Sequence, residues 1–451
     1  MTASVFTVAR PQDEEPGALL SRDTSEGLQE LVSRSATAAA ELDRETGAAL
    51  RIPESESEVE TFTDDGRMII NMGPQHPSTH GVLRIMLEIE GETVLRSKPV
   101  IGYLHTGMEK TAENLTYLQG ATNVTRMDYL SPLNNELVFA LAVEALLGIE
   151  IPERATWIRM LLSELNRISS HVMWLATNGM DLGSSSMMIF GFREREMVLS
   201  FFEKASGLRM NHNYIRPGGV AADLPDGWED DVNAIADTIE ARIKDYNELL
   251  TGQPIFHERV FGVGIIRPEE AIALSATGPI LRSTGVPWDL RREMPYLFYD
   301  KVDFDVVVGT VGDTYDRYSV RIHEILQSIR IVRQVLERMP TGPYRALDPK
   351  VTPPPRARVD ESMEALIHHF KLFTEGIRVP PGETYQAIES PRGELGCYMV
   401  SDGSAKPYRM HIRGPSFVNL QSLPVMLHGG LLADGVAIIS SVDPVMGEVD
   451  R

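Results

Sequence analysis

A single cysteine, Cys397, serves a chain of 451 residues. One thiol excludes an intrachain disulfide. It also excludes a zinc or iron–sulfur site built from this chain alone, because such sites take about four ligands, mostly thiolates. A redox centre therefore belongs to a partner or is a diffusible substrate. Long apolar runs are missing too: a membrane span needs roughly 18 apolar residues, and the longest candidates, such as Leu137–Ile149, are broken by Glu144. Positive charge is scarce, with 43 Lys and Arg against 64 Asp and Glu, a net of −21. This argues against a nucleic-acid partner, since phosphate neutralisation needs a basic face. The amino end lacks the charged-then-apolar pattern of a signal peptide, so the expectation is a soluble chain facing the cytosol. Nucleotide motifs are absent as well. There is no Walker phosphate loop, and Gly262-Val263-Gly264 and Arg216-Pro217-Gly218-Gly219 are turn signals rather than a dinucleotide fingerprint. No Gly-x-Ser-x-Gly elbow occurs. A nicotinamide site on this chain is not expected.

What remains is ordinary globular composition, 43% hydrophobic and 24% charged, in a length that suits one large core or two to three domains. Residues 1–60 stand apart, with 13 acidic against 5 basic side chains. They read as a flexible or partner-wrapped extension with one short helix near Leu28–Leu42. Strands and turns follow to about Gly102. The period then turns helical, clearest in Arg154–Leu175, where Ile158, Leu161, Leu162, Leu165, Ile168, Val172 and Leu175 form one stripe, with Pro152 before it and Gly179 after it. Further helices are predicted at 193–207, 228–250, 315–339 and 360–375, with Pro353-Pro354-Pro355 as a stiff connector. Strands are predicted at 394–401, 407–412 and 435–442. The expected fold is α+β: a flexible acidic extension (1–59), a β-rich part (60–132), a helical core of long helices (133–378) and a β-containing carboxyl-terminal segment (379–451).

The most informative stretch is Met72–Arg84, which carries His76 and His80 between Pro74, Pro77 and Gly81. Proline removes a backbone donor and clashes with a preceding helical turn, so the two imidazoles do not share a helical face. The segment reads as a loop feeding a strand over Val82–Glu90. Both histidines bonding loop backbone is the structural alternative. Other polar residues sit at the ends of apolar helices: Arg126-Met127-Asp128-Tyr129 before the helix near Leu133, and Asp181 after the long one. Each has an ordinary reading, with Tyr129 as a core tyrosine, Asp181 as a cap and Arg126 as a partner for a carboxylate. His368-His369 lies on a helix, one ring expected toward the core and the other toward solvent, and is not expected to bind metal.

Five blocks appear in order: Met72–Arg84, Gly102–Lys110, Arg126–Leu130, Tyr214–Gly219 and Asp443–Arg451. Together they resemble the quinone-site large subunit of respiratory complex I, the D subunit of bacterial NADH–quinone oxidoreductases, from about residue 60 to the carboxyl end. That family is related to the large subunit of nickel–iron hydrogenases, and the resemblance implies a hydrogenase-like fold. Hydrogenases hold nickel with two Cys-x-x-Cys pairs. The matching segments here, Arg126–Leu130 and Asp443–Gly447, carry no cysteine, so a nickel site cannot form.

The resemblance implies that His80 and Tyr129 hold the quinone head group and that Asp181 pairs with the histidine. It places His76 in the same loop and Arg126 near the terminal iron–sulfur cluster of the adjoining subunit. Asp443, Val445, Glu448 and Arg451 match the segment that once framed nickel and now lines or braces the quinone cavity. Quinone is the implied substrate, with no metal or cluster ligated by this chain. The implied partners are the cluster-bearing B subunit, the C subunit and the membrane arm of a proton-pumping complex, on the cytoplasmic side of the bacterial membrane. The chain would not be active alone. One departure concerns Asn211, which follows Arg209-Met210 where many relatives carry histidine, with His212 next. This leaves open whether His212 tunes the partner's cluster. Two rival readings are a sister complex fed by another donor such as a ferredoxin, and a non-catalytic scaffold around a collapsed site. Retention of His80, Tyr129 and Asp181 together argues against the second.

Overall fold

The computed structural model describes residues 4–10, 31, 33–42, 61–62 and 67–451. The first described residues do not stand apart from the body. Strand β1 (Val5–Thr7) pairs in parallel with residues 306–308, and Val8 is buried with Val307 and Val320. The Arg10 guanidinium reaches Asp313 at 2.5 Å and lies over the rings of Phe261 and Tyr315. The acidic composition hides this because the anchor is one short apolar strand and one arginine. Residues 33–42 are helical, inside the helix expected at 28–42; the other expectations for the first 60 residues fall outside the described ones.

An antiparallel sheet follows, in the order β2 (Thr61–Phe62), β3 (Met68–Met72), β4 (Arg84–Glu90), β5 (Thr93–Val100). Gly91 takes φ 62° in the tight turn between the last two, a conformation that costs glycine nothing. Alternation is the physical basis of this sheet. Ile85, Leu87 and Ile89 face a core shared with Leu423, Leu427, Ile438 and Ile439, while Ile69 and Met86 share a smaller cluster.

The second and larger core is helical. Its long elements are α1 (Pro132–Leu147), α2 (Glu153–Asp181), α3 (Ser185–Ser206), α4 (Trp228–Tyr246) and α5 (Thr314–Arg338). Strand β6 (Val306–Val308) precedes α5 and is the partner of β1. Helix α2 runs past the stop expected after Leu175, and Gly179 lies inside it. That glycine marks close packing rather than an end: a Cβ there would sit 2.7 Å from Cβ and Cγ of Met187 on α3. The same reason applies at Gly191 on α3, whose Cβ would meet that of Ala176 at 2.7 Å.

After α5 the chain forms a short helix over Arg356–Glu361, then α6 (Met363–Thr374) begins behind the cap made by the Ser362 side chain. The single helix expected at 360–375 is thus broken at Ser362, which is extended there. Neither ring of His368-His369 enters the core; both are half-buried. A second antiparallel sheet, in the order β9 (Arg409–Arg413), β8 (Gly393–Ser401), β7 (Gly382–Ser390), holds the strands expected at 394–401 and 407–412 and adds β7, which lies outside those expected.

The strand predicted at 435–442 is instead α7 (Leu432–Val442). Its β-branched residues suit a strand locally. Ala437, Ile438, Ile439, Ser440, Ser441 and Val442 are nevertheless all buried, so this part of the helix is enclosed on every side, and the Ser440 carbonyl accepts from Trp174 Nε1 at 2.7 Å. Packing overrides local preference here. A last short helix, α8 (Met446–Asp450), ends the chain. No helix among the described residues is long and apolar enough to cross a membrane.

Candidate functional site

The two cores meet where the histidine loop, the end of α2 and the carboxyl-terminal segment converge. Pro77–Thr79 form one turn of 3-10 helix, with His76 capping its start and His80 its end. His76 Nδ1 accepts from the Ser78 N–H at 3.2 Å and its ring is exposed, as the backbone-bonding alternative anticipated. His80 differs. It adopts φ 49°, unusual for a residue with a Cβ, and this turns its largely buried ring toward α2. Nε2 then lies 3.3 Å from Asp181 Oδ2, the last residue of α2. The two are within ion-pair distance without hydrogen-bond alignment, and neither atom has a hydrogen-bond partner among the described residues.

Asp443 joins this pair from the other side. It caps α7 with φ 55° and is buried. Burial raises its pKa, while the charges of Arg392, Arg321 and His80 oppose that rise. Tyr129 lies against the same group, half-buried, its hydroxyl pushed up in pKa by burial and by Asp128. The close approach of the last helix makes this possible: a Cβ on Gly447 would collide with the Met127 carbonyl and come 3.3 Å from Tyr129 Cδ1.

One residue that the sequence reading missed ties the parts together. Arg392, at the tight turn between β7 and β8, is buried at 1% exposure. Its guanidinium donates to Asp128 at 2.8 Å, to Ser170 on α2 at 3.2 Å, and to the carbonyl of Asp443 at 3.1 Å, with the Asp443 carboxylate 3.1 Å away. Burial opposes its charge, yet Asp128 and Asp443 outweigh that and hold it protonated. Only a planar, forked donor bridges so many acceptors. No local motif marked it, because Asp128 and Ser170 lie far earlier in the chain and Asp443 in the carboxyl-terminal segment.

The remaining expected residues are placed as follows. Val445 is buried, and its N–H reaches Ser416 Oγ at 3.4 Å. Glu448 is fully buried and accepts from the Ser416 N–H at 3.0 Å; burial, reinforced by Asp128, pushes its carboxyl up to about 7. Arg451 lies over Phe417 and reaches Glu109 and the Ile412 carbonyl. Beside it, Asp450 accepts from the N–H groups of Gly102 and Leu104 at 2.8 and 2.6 Å, tying the Gly102–Lys110 block to the chain end. Arg126 is exposed and donates to the Thr122 carbonyl. His212 is buried edge-on to Phe202, its Nε2 on the Arg209 carbonyl at 2.9 Å, and burial drives its pKa down to about 4.

Chemically, the site offers a phenol and an imidazole near three carboxylates and a fixed guanidinium. It can orient a polar head group and exchange protons with it. Among the described residues, no group of three or more His, Cys, Asp and Glu side chains is arranged to hold a metal ion. Two surface clefts, between the segment 342–355 and α6 and between 348–351 and 371–380, contain none of the site residues.

Residues 181–451 match the family model described as respiratory-chain NADH dehydrogenase, 49 kDa subunit. A relative from Acidothermus cellulolyticus, named as the D subunit of an NADH-quinone oxidoreductase, is 53% identical over 85% of this chain and 92% of its own length. A D subunit from Roseiflexus castenholzii is 56% identical, covering 85% of this chain and 93% of its own length. Another from Koribacter versatilis is 56% identical, over 86% of this chain and 96% of its own length. The chain belongs to the family of the 49 kDa subunit of respiratory-chain NADH dehydrogenase.

Proposed function

We propose that this chain works as a subunit of a proton-pumping NADH–quinone oxidoreductase and forms, with a neighbouring iron–sulfur subunit, the cavity where quinone is reduced to quinol. His80 and Tyr129 hold the two ends of the head group, and Asp181 pairs with the histidine. The observation that carries this reading is the His80–Asp181 pair, 3.3 Å apart with neither atom hydrogen-bonded to any described residue, beside Tyr129 and Asp443.

Reduction takes two electrons and two protons. The electrons would come from the partner's cluster, since the single cysteine of this chain cannot ligate one. The Tyr129 hydroxyl donates a hydrogen bond to one carbonyl oxygen. His80 turns Nε2 to Asp181, so Nδ1 is the atom that faces the other carbonyl and passes it a proton. Asp181 fixes the orientation of the His80 ring, and the half-buried Tyr129, its pKa raised by desolvation, keeps its proton until charge develops on the substrate. Once His80 is deprotonated, Asp181 holds an unpaired charge, which signals to the membrane arm. Arg126 faces the cluster-bearing B subunit, and His76 lies at the cavity's edge. Val445 and Asp443 line the cavity, braced by Glu448 and Arg451. Exposed Ile101, Tyr103 and Leu104, on the loop held by Asp450, suit a surface covered by partner subunits, among them the C subunit. The complex would hold this chain peripherally on the cytoplasmic side of the membrane.

The test is quinone reduction by NADH in membranes of a His80→Ala strain, with reduction of a water-soluble artificial acceptor followed alongside. Loss of the first with the second preserved is expected; both preserved would remove His80 from the site. In Asp181→Asn, proton uptake on quinone reduction should fall below that of the wild type, and equal uptake would sink the signalling step.

A further inference from the structure

Helices α2 and α5 bury a second ionic group that the quinone chemistry does not use. Glu164, Arg167 and His171 come from α2, Glu324 from α5, Arg282, Asp289 and Arg291 from the segment between α4 and β6, and Glu389 from β7. Each is at most 2% exposed. Arg282 lies at its centre, 2.7 Å from Glu324, 2.7 Å from Glu389 and 3.8 Å from Asp289. Arg291 stands 2.7 Å from Asp289 and 3.3 Å from Glu164, Arg167 is 3.4 Å from Glu164, and His171 Nε2 is 2.9 Å from Glu324. Arg167 Nε and Nη1 and His171 Nδ1 have no hydrogen-bond partner among the described residues. Within the group four carboxyls face three guanidiniums and a histidine that burial keeps neutral, its pKa lowered to about 4; the nearest further cation, Arg321, is shared with Asp443. Fully ionised, its fourth carboxyl would have to draw on Arg321, which Asp443 also needs, in a place where an uncompensated charge costs several kcal/mol.

We propose that this group binds one exchangeable proton, held on Glu389 within the Asp289–Glu389 pair that flanks Arg282 Nη1, and that its loss at alkaline pH disturbs the quinone site; the second half rests on the reading of His80 given above. Glu389 is the carboxyl with the weakest anionic support. Glu164 accepts from the hydroxyls of Tyr299 and Ser328, both at 2.6 Å, in addition to its arginines. Asp289 accepts from Arg291 through both its side chain and its backbone N–H. Glu324 has Arg282 and His171. Glu389 has Arg282 Nη1 and the Leu290 N–H at 3.2 Å, while Tyr296 meets only its backbone. Of the four, Glu389 alone is raised in pKa, by burial and by Asp289 against the pull of Arg282; in the others the arginines outweigh burial. Two like carboxyls at one buried nitrogen cannot both ionise cheaply.

The link to the site runs along α5. Arg321, one turn before Glu324, stacks over Trp174 at 4.2 Å, and its charge acts on both Asp443 and Glu324. When Glu389 ionises it competes for Arg282, Glu324 turns to Arg321, and Asp443 loses part of its positive neighbour.

The experiment compares the assembled complex carrying Glu389→Gln or Glu324→Gln with the wild type. A glutamine side chain mimics the protonated acid, so E389Q should assemble with the wild-type thermal midpoint near neutral pH, whereas E324Q should lose stability. In the difference between the wild-type and E389Q infrared spectra one neutral acid carbonyl band should remain, since Glu448 and the other buried acids cancel. The alkaline loss of quinone reduction should be absent in E389Q, with artificial-acceptor activity unchanged. Failure of E389Q to assemble, or no such difference band, would overturn the bound proton. An unchanged alkaline limb would overturn the link alone. Preserved quinone reduction in His80→Ala would overturn the quinone-site reading while leaving the infrared result standing.

Discussion

At the scale of single residues, positions that looked alike in the sequence have separated by environment. His76 and His80 lie four apart in one loop, yet His76 only caps a turn in solvent while His80 is turned by its left-handed backbone onto Asp181. Spacing could not distinguish them, since the difference is made by α2, far along the chain. Arg392 is the converse case, silent in sequence and central in space. Arg392→Met would leave Asp128 and Asp443 buried without their shared cation, a loss of about 3–5 kcal/mol by the usual cost of breaking a buried pair. Thermal denaturation of the complex measures it. Arg392→Lys keeps the charge but cannot span Asp128, Ser170 and Asp443 together. Its expected signature is a raised KM for quinone with assembly retained.

At the scale of elements, apolar period placed the helices well wherever one face is apolar and the other polar, as in α4 and α5. It failed at α7, where a short β-branched run reads equally as strand or helix and only the neighbouring Trp174, Arg317 and Leu427 decide. It also misjudged Gly179, because a glycine that ends a helix and one that lets two helices touch look the same in sequence. Gly179→Val should force α2 and α3 apart at Met187 and cost about 1–3 kcal/mol, the usual range for overpacking. A midpoint unchanged from the wild type would show that the contact yields. Because α2 ends at Asp181, a displaced α2 should also lower quinone reduction more than artificial-acceptor activity.

Across the whole molecule, buried histidines make stability pH-dependent in a definite sense. His171 and His212 are both held at about 4 by burial, below the ordinary value of about 6.5. The unfolded chain binds more protons between those limits, so stability present at neutral pH falls as the pH drops from about 6.5 toward 4. The cost is of the order of 3 kcal/mol for each group. His212→Phe, which keeps the aromatic contact with Phe202, should flatten the fall of the thermal midpoint over that window. An equally steep fall would assign it to other groups.

The sequence by itself determined the α+β character, the absence of thiol-based metal sites, the family, and which loops carry chemistry-bearing residues. These follow from composition, period and short motifs, all of which are local. Only the tertiary structure decided which of those residues meet, that Arg392 joins them, that α7 is a helix, that residues 4–10 fasten to the body, and that four carboxyls share three arginines in the core. Each of these depends on contacts between segments far apart in the chain. Desolvation and charge pairing act on the assembled neighbourhood, not on the residue alone.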